Sequence, residues 1–332
     1  MNVKEMKCWD GLPMSQSSIR CGLRCERCWF LRYRWHLRRN KSKYSAPLDL
    51  GTIYHLFMKE GEGNEEVVKQ VVRDKQSFLE AEILKGDDLD DSLTKQYNSL
   101  TSLYHKAEAI AHIFWDKYPR SERQETIVRE QHIVVDDIEG TLDEIEIDRR
   151  VNAIAIRDTK TTSRSLDTIL TGYPYGVQLR VYRFLAEEWC RQNGLPAPQG
   201  FIIDAVLMPT IKLCKKDEKE ARITGCTAEE AYRIRVENWY AENGKTSMVS
   251  SAMKFNEPIV PAELDHAFET IRELARRKPD PMNYERDITG SYCMAYERQC
   301  SFYSLCTKHP SMWPVELDGY FEVWEREGKG EL

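Results

Sequence analysis

A chain of 332 residues, 41% of them hydrophobic and 10% aromatic, carries enough apolar material for a sizeable core, which excludes an intrinsically disordered protein. The formal net charge of −6 runs against a nucleic-acid binder at first sight, yet a catalytic metal site itself needs carboxylates and binding follows the local field. No apolar run approaches the ~20 residues that cross a bilayer, and the polar N-terminus does not read as a signal peptide, so a cytoplasmic protein with no membrane partner is expected.

In chain order, the first landmark is a basic stretch. Arg20, Arg24, Arg27, Arg32, Arg34, Arg38, Arg39, Lys41 and Lys43 are interleaved with Trp29, Phe30, Tyr33 and Trp35. That mixture suits phosphate contacts with base stacking, with Arg32, Arg34, Arg38 and Arg39 as nucleic-acid contacts; it equally suits a solvated amphipathic helix. Residues 47–51 then read as a turn and 52–59 as the start of a helix. Val68, Val71, Val72 and Phe78 give residues 65–84 helical spacing, a break is expected over 86–91, and Leu93, Tyr97, Leu100, Tyr104, Ala107 and Ala111 form a second stripe that ends near Pro119.

The pattern then changes. Residues 127–135, 141–147 and 153–158 are short, β-branched and partly alternating, as strands are. Residues 172–175 read as a loop. Val177, Val181, Phe184, Leu185 and Trp189 mark an amphipathic helix that Gly194 stops. A strand is predicted over 201–208, a capping box at Thr227 and Glu230 opens a helix to about Gly244, and Pro261 opens another with Leu264, Phe268, Ile271 and Leu274 on its apolar face. The prediction is one α/β domain over 1–332, with a central mixed β-sheet flanked by helices, a helical insertion over 61–120, a core over 126–210 and loop-rich ends.

Within this core, Gly140-Thr-Leu-Asp143 places a carboxylate on the second strand, and Asp158-Thr159-Lys160 closes the third. Residues two apart on a strand share a face, so Asp158 and Lys160 project together, within reach of Asp143. Two carboxylates with main-chain carbonyls form a hard-oxygen site for Mg²⁺ or Mn²⁺, and a neighbouring lysine can stabilise developing negative charge. Taken alone, Asp-x-Lys is also a common surface pair, His55 reads as a core histidine, and Tyr182 as helix packing.

Ten cysteines are many for a cytosolic chain, where clustered thiols more often bind metal than form disulfides. Cys21, Cys25 and Cys28 crowd one end and Cys293, Cys300 and Cys306 the other. Cys8, Cys190, Cys214 and Cys226 are scattered and read as ordinary thiols.

Four motifs in order, Gly51/His55, Gly140/Asp143, Asp158/Lys160 and Gln178/Tyr182, resemble the RecB-like branch of the PD-(D/E)XK nucleases, with a restriction-endonuclease-like core. The resemblance implies a metal-dependent DNA nuclease, an exonuclease in DNA processing, recombination or repair. His55, Asp143, Asp158 and the Thr159 carbonyl would bind metal, Lys160 would be catalytic, and Gln178 and Tyr182 would line the site. Glu130 stands where the family often has an acidic strand residue.

The subfamily shared by CRISPR-associated exonucleases and AddB-type helicase-nucleases also holds a 4Fe–4S cluster on one N-terminal and three C-terminal cysteines. Here Ser15, Ser17 and Ile19 precede Cys25 and Trp29 follows it, so the implied ligands are Cys25, Cys293, Cys300 and Cys306, forming a clasp of 1–45 with 280–310. Cys21 and Cys28 compete with Cys25, and a structural Zn²⁺ is the alternative to the cluster. The expected partner is DNA, as single- or double-stranded ends. With no Walker-type loop in this sequence, a helicase or recombination protein would be a separate partner. A non-cleaving DNA-end-binding or scaffold module and an RNase are the competing readings.

Overall fold

A computed structural model describes residues 13–39, 45–85, 91–163, 165–255, 261–287, 289–295 and 299–323. Cys8, Lys41, Lys43 and most of the predicted break at 86–91 lie outside the described residues. The chain enters on strand β1 (Met14–Ser15) and helix α1 (Gln16–Arg24), whose start is capped by Ser15 Oγ accepting from the Ser18 N–H at 3.3 Å. The short α2 (Glu26–Trp29) runs into a π-helical turn, Phe30–Arg34, and then strand β2 (Leu37–Arg39). Helix α3 (Ala46–Glu60) starts earlier than predicted. Pro47 sits in its first turn, where a missing N–H costs nothing, so 47–51 is helix and not a turn. Helices α4 (Glu65–Lys85) and α5 (Asp91–Lys117) follow the two predicted stripes, except that Phe78 is exposed and Leu79 takes the core position.

Three strands come next, β3 (Gln124–Val135), β4 (Ile138–Asp148) and β5 (Ala153–Thr162). Helix α6 (Leu166–Gly172) and, where a loop was expected over 172–175, a 3₁₀ turn, Tyr173–Tyr175, lead into α7 (Val177–Gln192). Strand β6 (Gly200–Leu207) and helix α8 (Lys215–Thr224) precede α9 (Ala228–Ser247), which opens on the predicted capping box: Thr227 Oγ1 accepts from the Glu230 N–H at 3.1 Å and Glu230 Oε2 from the Thr227 N–H at 2.8 Å. The rest comprises β7 (Met248–Lys254), α10 (Pro261–Arg276), α11 (Tyr303–Thr307), α12 (Trp313–Tyr320) and β8 (Phe321–Val323).

The main sheet is mixed. Strand β4 is flanked by antiparallel β3 and β5, with β1 pairing in parallel at its start; β6 runs parallel to β5, and β7 closes the sheet antiparallel. Two cores cover its faces. Ile145, Ile147, Ile154, Ile156 and Ile203 pack under α1, α7 and α10, while Val206 and Met248 pack under α3, α4, α5 and α9. The predicted insertion over 61–120 thus supplies much of the second core. No helix among the described residues is long and apolar enough to cross a membrane.

The two ends of the described chain meet. Strands β2 and β8 pair antiparallel from Leu37 with Val323 to Arg39 with Phe321. Phe30 stacks on Tyr284 at 4.3 Å, and the Arg27 Nε donates to the Tyr284 carbonyl at 3.1 Å. This packing overturns part of the basic-stretch reading. Trp29, Phe30 and Trp35 are core residues rather than a stacking platform for bases. Arg34, expected at phosphate, is buried and donates through Nη1 to the Ala275 carbonyl at 2.5 Å, because the segment after α10 covers it. Arg32, Arg38 and Arg39 stay exposed, with Arg38 paired to Glu322 at 2.6 Å and Arg39 donating to the Ser301 carbonyl at 3.0 Å.

Candidate active site

The site lies where two strands part. The β4–β5 ladder ends at Glu144 opposite Arg157, and the next residue on each strand is Asp143 or Asp158. Beyond that point Asp143 Oδ2 accepts the Thr159 backbone N–H at 2.8 Å, satisfying a donor that the ladder no longer pairs. Two glycines bring helices against this fork. At Gly51 a Cβ would stand 3.1 Å from Thr161 Oγ1, so the glycine seats α3 on β5 and places His55 one turn later. At Gly140 a Cβ would meet Leu185 Cδ1 at 2.7 Å and Tyr182 Cε1 at 3.4 Å, so this glycine lets α7 lie on β4.

His55, Glu130 and Asp143 converge: one ligand atom from each lies within 4.8 Å of the others, and His55 Nδ1 is 3.7 Å from Asp143 Oδ2. Glu130 gets there by unusual backbone. It sits inside β3 with φ +48°, a left-handed conformation that costs a non-glycine residue about 1–2 kcal/mol, and such stored strain is characteristic of functional positions. Beside this trio Asp158 is 1% exposed, with Lys160 Nζ 2.5 Å from its Oδ2 as an ion pair, although neither carboxylate oxygen has a well-directed hydrogen bond. The Thr159 carbonyl accepts from Lys160 Nζ at 3.4 Å.

Burial, with like charges crowded beside one another, sets the protonation. Burial, with Asp143 beside it and Lys59 opposing, pushes Glu130 up to about 7. Burial also raises Asp158 to about 6 against the pull of Lys160, and raises Asp143. Burial and the Lys160 charge lower His55 to about 4, tempered by the 31% of its side chain still open to the groove, so the imidazole is neutral at pH 7. Carboxylates that resist ionising together, grouped with a neutral imidazole, form the donor set that a divalent cation relieves. The residues fit such an ion.

Underneath, on the α3 side of the sheet, a buried ion network fixes the strands. The Arg157 guanidinium grips Glu146 at 2.7 and 3.0 Å and Asp204 at 2.6 Å, and Arg120 pairs with Glu144. On the other side Tyr182 is buried close to Asp158 and Asp143, with Gln178 one turn earlier beside its hydroxyl. Tyr173 also faces the site and carried no signal in the sequence, because it falls in what reads as a loop. Glu130 had only its strand position to mark it.

The cysteines gather from both ends. Cys21 Sγ and Cys28 Sγ are 3.5 Å apart, and Cys25, which caps α2, accepts the Cys28 N–H at 3.4 Å. The Cys300 N–H donates to the Cys293 carbonyl at 2.8 Å. Burial pushes the Cys306 thiol up to about 11, with Cys25, Cys300 and Cys293 near enough to add to the effect and Arg27 opposing it. The scattered Cys190, Cys214 and Cys226 form no part of this group: Cys190 is buried on α7, Cys214 precedes α8, and Cys226 lies against Thr224 and Thr227.

The family model of the PD-(D/E)XK nuclease superfamily matches residues 13–307, and the chain belongs to that superfamily. It is therefore a nuclease by family, with a mixed sheet flanked by helices as its restriction-endonuclease-like core and a His55, Glu130 and Asp143 group that could hold the divalent metal those nucleases use. No curated protein matches the sequence at a significant level.

Proposed function

We propose that the protein is a Mg²⁺- or Mn²⁺-dependent deoxyribonuclease of the RecB-like branch, an exonuclease that hydrolyses phosphodiester bonds from DNA ends. The observation that carries this reading is the convergence of His55, Glu130 and Asp143 beside the Asp158–Lys160 pair. His55, Glu130 and Asp143 open onto a groove of about 450 Å³ walled by Leu48, Thr52, Leu56 and Lys59 of α3. His55, Glu130, Asp143, Asp158 and the Thr159 carbonyl would hold the ion. Bound there, it would polarise the scissile phosphate and make a water molecule a stronger nucleophile. Lys160 places an ammonium where charge develops on the phosphate. Gln178 and Tyr182 meet the strand, and the exposed Arg32, Arg38 and Arg39 supply phosphate contacts further out.

The thiol group fits a 4Fe–4S cluster on Cys25, Cys293, Cys300 and Cys306 that staples the ends together. A tetrahedral zinc thiolate would draw its sulfurs to roughly 3.8 Å of one another. Cys21 and Cys28, with sulfurs 3.5 Å apart, compete with Cys25 for such a site. DNA is the proposed partner, with a helicase or recombination protein as a second.

Cleavage of end-labelled single- and double-stranded DNA with Mg²⁺ or Mn²⁺, comparing wild type with Asp158→Ala, tests the proposal. Cutting by wild type that falls at least about 100-fold in the variant supports it. No cutting of DNA by either protein overturns it; cleavage of RNA on the same gel would then select an RNase, and DNA-end binding alone a scaffold module.

A further inference from the structure

The elbow between α6 and α7 brings into the site a side chain that none of the four motifs contains. Tyr173 opens the 3₁₀ turn, and Pro174 with the Gly176 N–H, which donates to the Tyr173 carbonyl at 3.0 Å, holds that turn in shape. The Tyr173 ring centre lies 5.4 Å from Lys160 Nζ, within range of a cation–π contact, and the ring packs on Phe201 at 6.4 Å. Its hydroxyl and both oxygens of Asp158 are buried with no well-directed hydrogen bond, yet the hydroxyl is near enough to Asp158 to act on it as a hydrogen-bond donor. Tyr175, two residues on, is 72% exposed.

We propose that Tyr173 is a positioning residue for the Asp158–Lys160 pair, its O–H serving as a neutral donor to the buried Asp158 carboxylate and its ring as the platform on which the Lys160 ammonium rests. This rests on the nuclease reading above. When Lys160 turns toward a phosphate, Asp158 loses its counter-ion, and the Tyr173 O–H is a neutral donor beside it that can hold the carboxylate in place. The ring meanwhile confines the ammonium to a short arc. A tyrosine present only for packing gains nothing from a buried hydroxyl without a partner, and phenylalanine would fill the same space without that cost.

The test compares wild type with Tyr173→Phe and Tyr173→Leu by Mn²⁺ titration calorimetry without DNA, by cleavage of end-labelled DNA, and by melting temperature. Tyr173→Phe is expected to melt at or above wild type and yet bind Mn²⁺ about 10-fold more weakly or worse, with cleavage falling in step. Tyr173→Leu is expected to match its Mn²⁺ affinity and cut more slowly still, since Lys160 loses its platform. A Tyr173→Phe variant with wild-type Mn²⁺ affinity and cleavage overturns this proposal alone. So does one that simply melts lower, since the hydroxyl would then serve the fold. Wild type that neither binds Mn²⁺ nor cuts overturns the nuclease reading and this inference together.

Discussion

The Thr159 backbone N–H donates to Asp143 Oδ2 at 2.8 Å, one residue past the end of the β4–β5 ladder. The carboxylate is at once a structural acceptor and a candidate ligand, and the two duties can be separated. Asp143→Asn keeps an acceptor for Thr159 and removes a carboxylate whose ionisation burial opposes. It should melt at or above the wild-type temperature without metal and lose Mn²⁺ binding. Asp143→Ala leaves a 5%-exposed residue's N–H unpaired and should cost about 1–3 kcal/mol. Denaturant unfolding without metal would show the difference, and equal stabilities would mean that water replaces the lost acceptor.

Glu130 should make metal binding depend on pH. With its carboxyl pushed up to about 7, it is largely protonated at pH 6 and ionised at pH 8, whereas His55 at about 4 is already neutral at both. A cation that needs the carboxylate must displace that proton, so affinity should rise with pH and level off above about 8. Calorimetry in buffers of different ionisation enthalpy should find close to one proton released per Mn²⁺ at pH 6 from Glu130, with Asp158 at about 6 adding to it, and almost none at pH 8. Glu130→Gln should flatten most of this dependence. A flat profile in wild type would place Glu130 outside the metal's ligands.

The fork itself was legible because β-structure announces its faces. Period-two alternation put Asp158 and Lys160 on one side, and the structure joins them at 2.5 Å. What escaped was set by distant contacts or by backbone. Trp29, Phe30 and Arg34 read as an exposed basic–aromatic arm, and only the packing of 275–284 over them turns them inward. Pro47 looked like a turn residue because proline tolerates both a turn and a helix's first position. The left-handed φ of Glu130 and the inward aim of Tyr173 leave no periodic trace, since each is a property of one residue in a register that its neighbours impose.

Lys160 should separate chemistry from binding. Its ammonium is paired with the buried Asp158, while the exposed Arg32, Arg38 and Arg39 lie elsewhere on the chain. Lys160→Ala should slow cleavage by about 10²–10³-fold, the scale for losing one charge-stabilising donor. Fluorescence anisotropy with Ca²⁺ in place of Mg²⁺ should show DNA affinity within about threefold of wild type, since one lost phosphate contact among several changes affinity little. A collapse of affinity alongside the rate would reassign Lys160 to phosphate binding.

The thiol clasp makes the last prediction. Cys25 and Cys306 lie near opposite ends of the described chain, and closing a loop of that length costs about 5–6 kcal/mol of chain entropy on the cross-link model. The β2–β8 pairing, the Phe30–Tyr284 stack and the Arg34 bond to the Ala275 carbonyl already bear part of that closure. Losing one ligand of the proposed cluster should therefore destabilise the chain by less than the full amount. Cys306→Ser should lose the brown colour and the broad visible absorbance of an iron–sulfur protein and melt lower, whereas Cys226→Ser, beside Thr224 and away from the clasp, should change neither. Bound zinc and no iron in the purified wild type would assign the four thiolates to Zn²⁺ while leaving the staple in place. A Cys306→Ser protein with unchanged colour and melting would show that Cys306 is no ligand and that protein contacts alone hold the ends together.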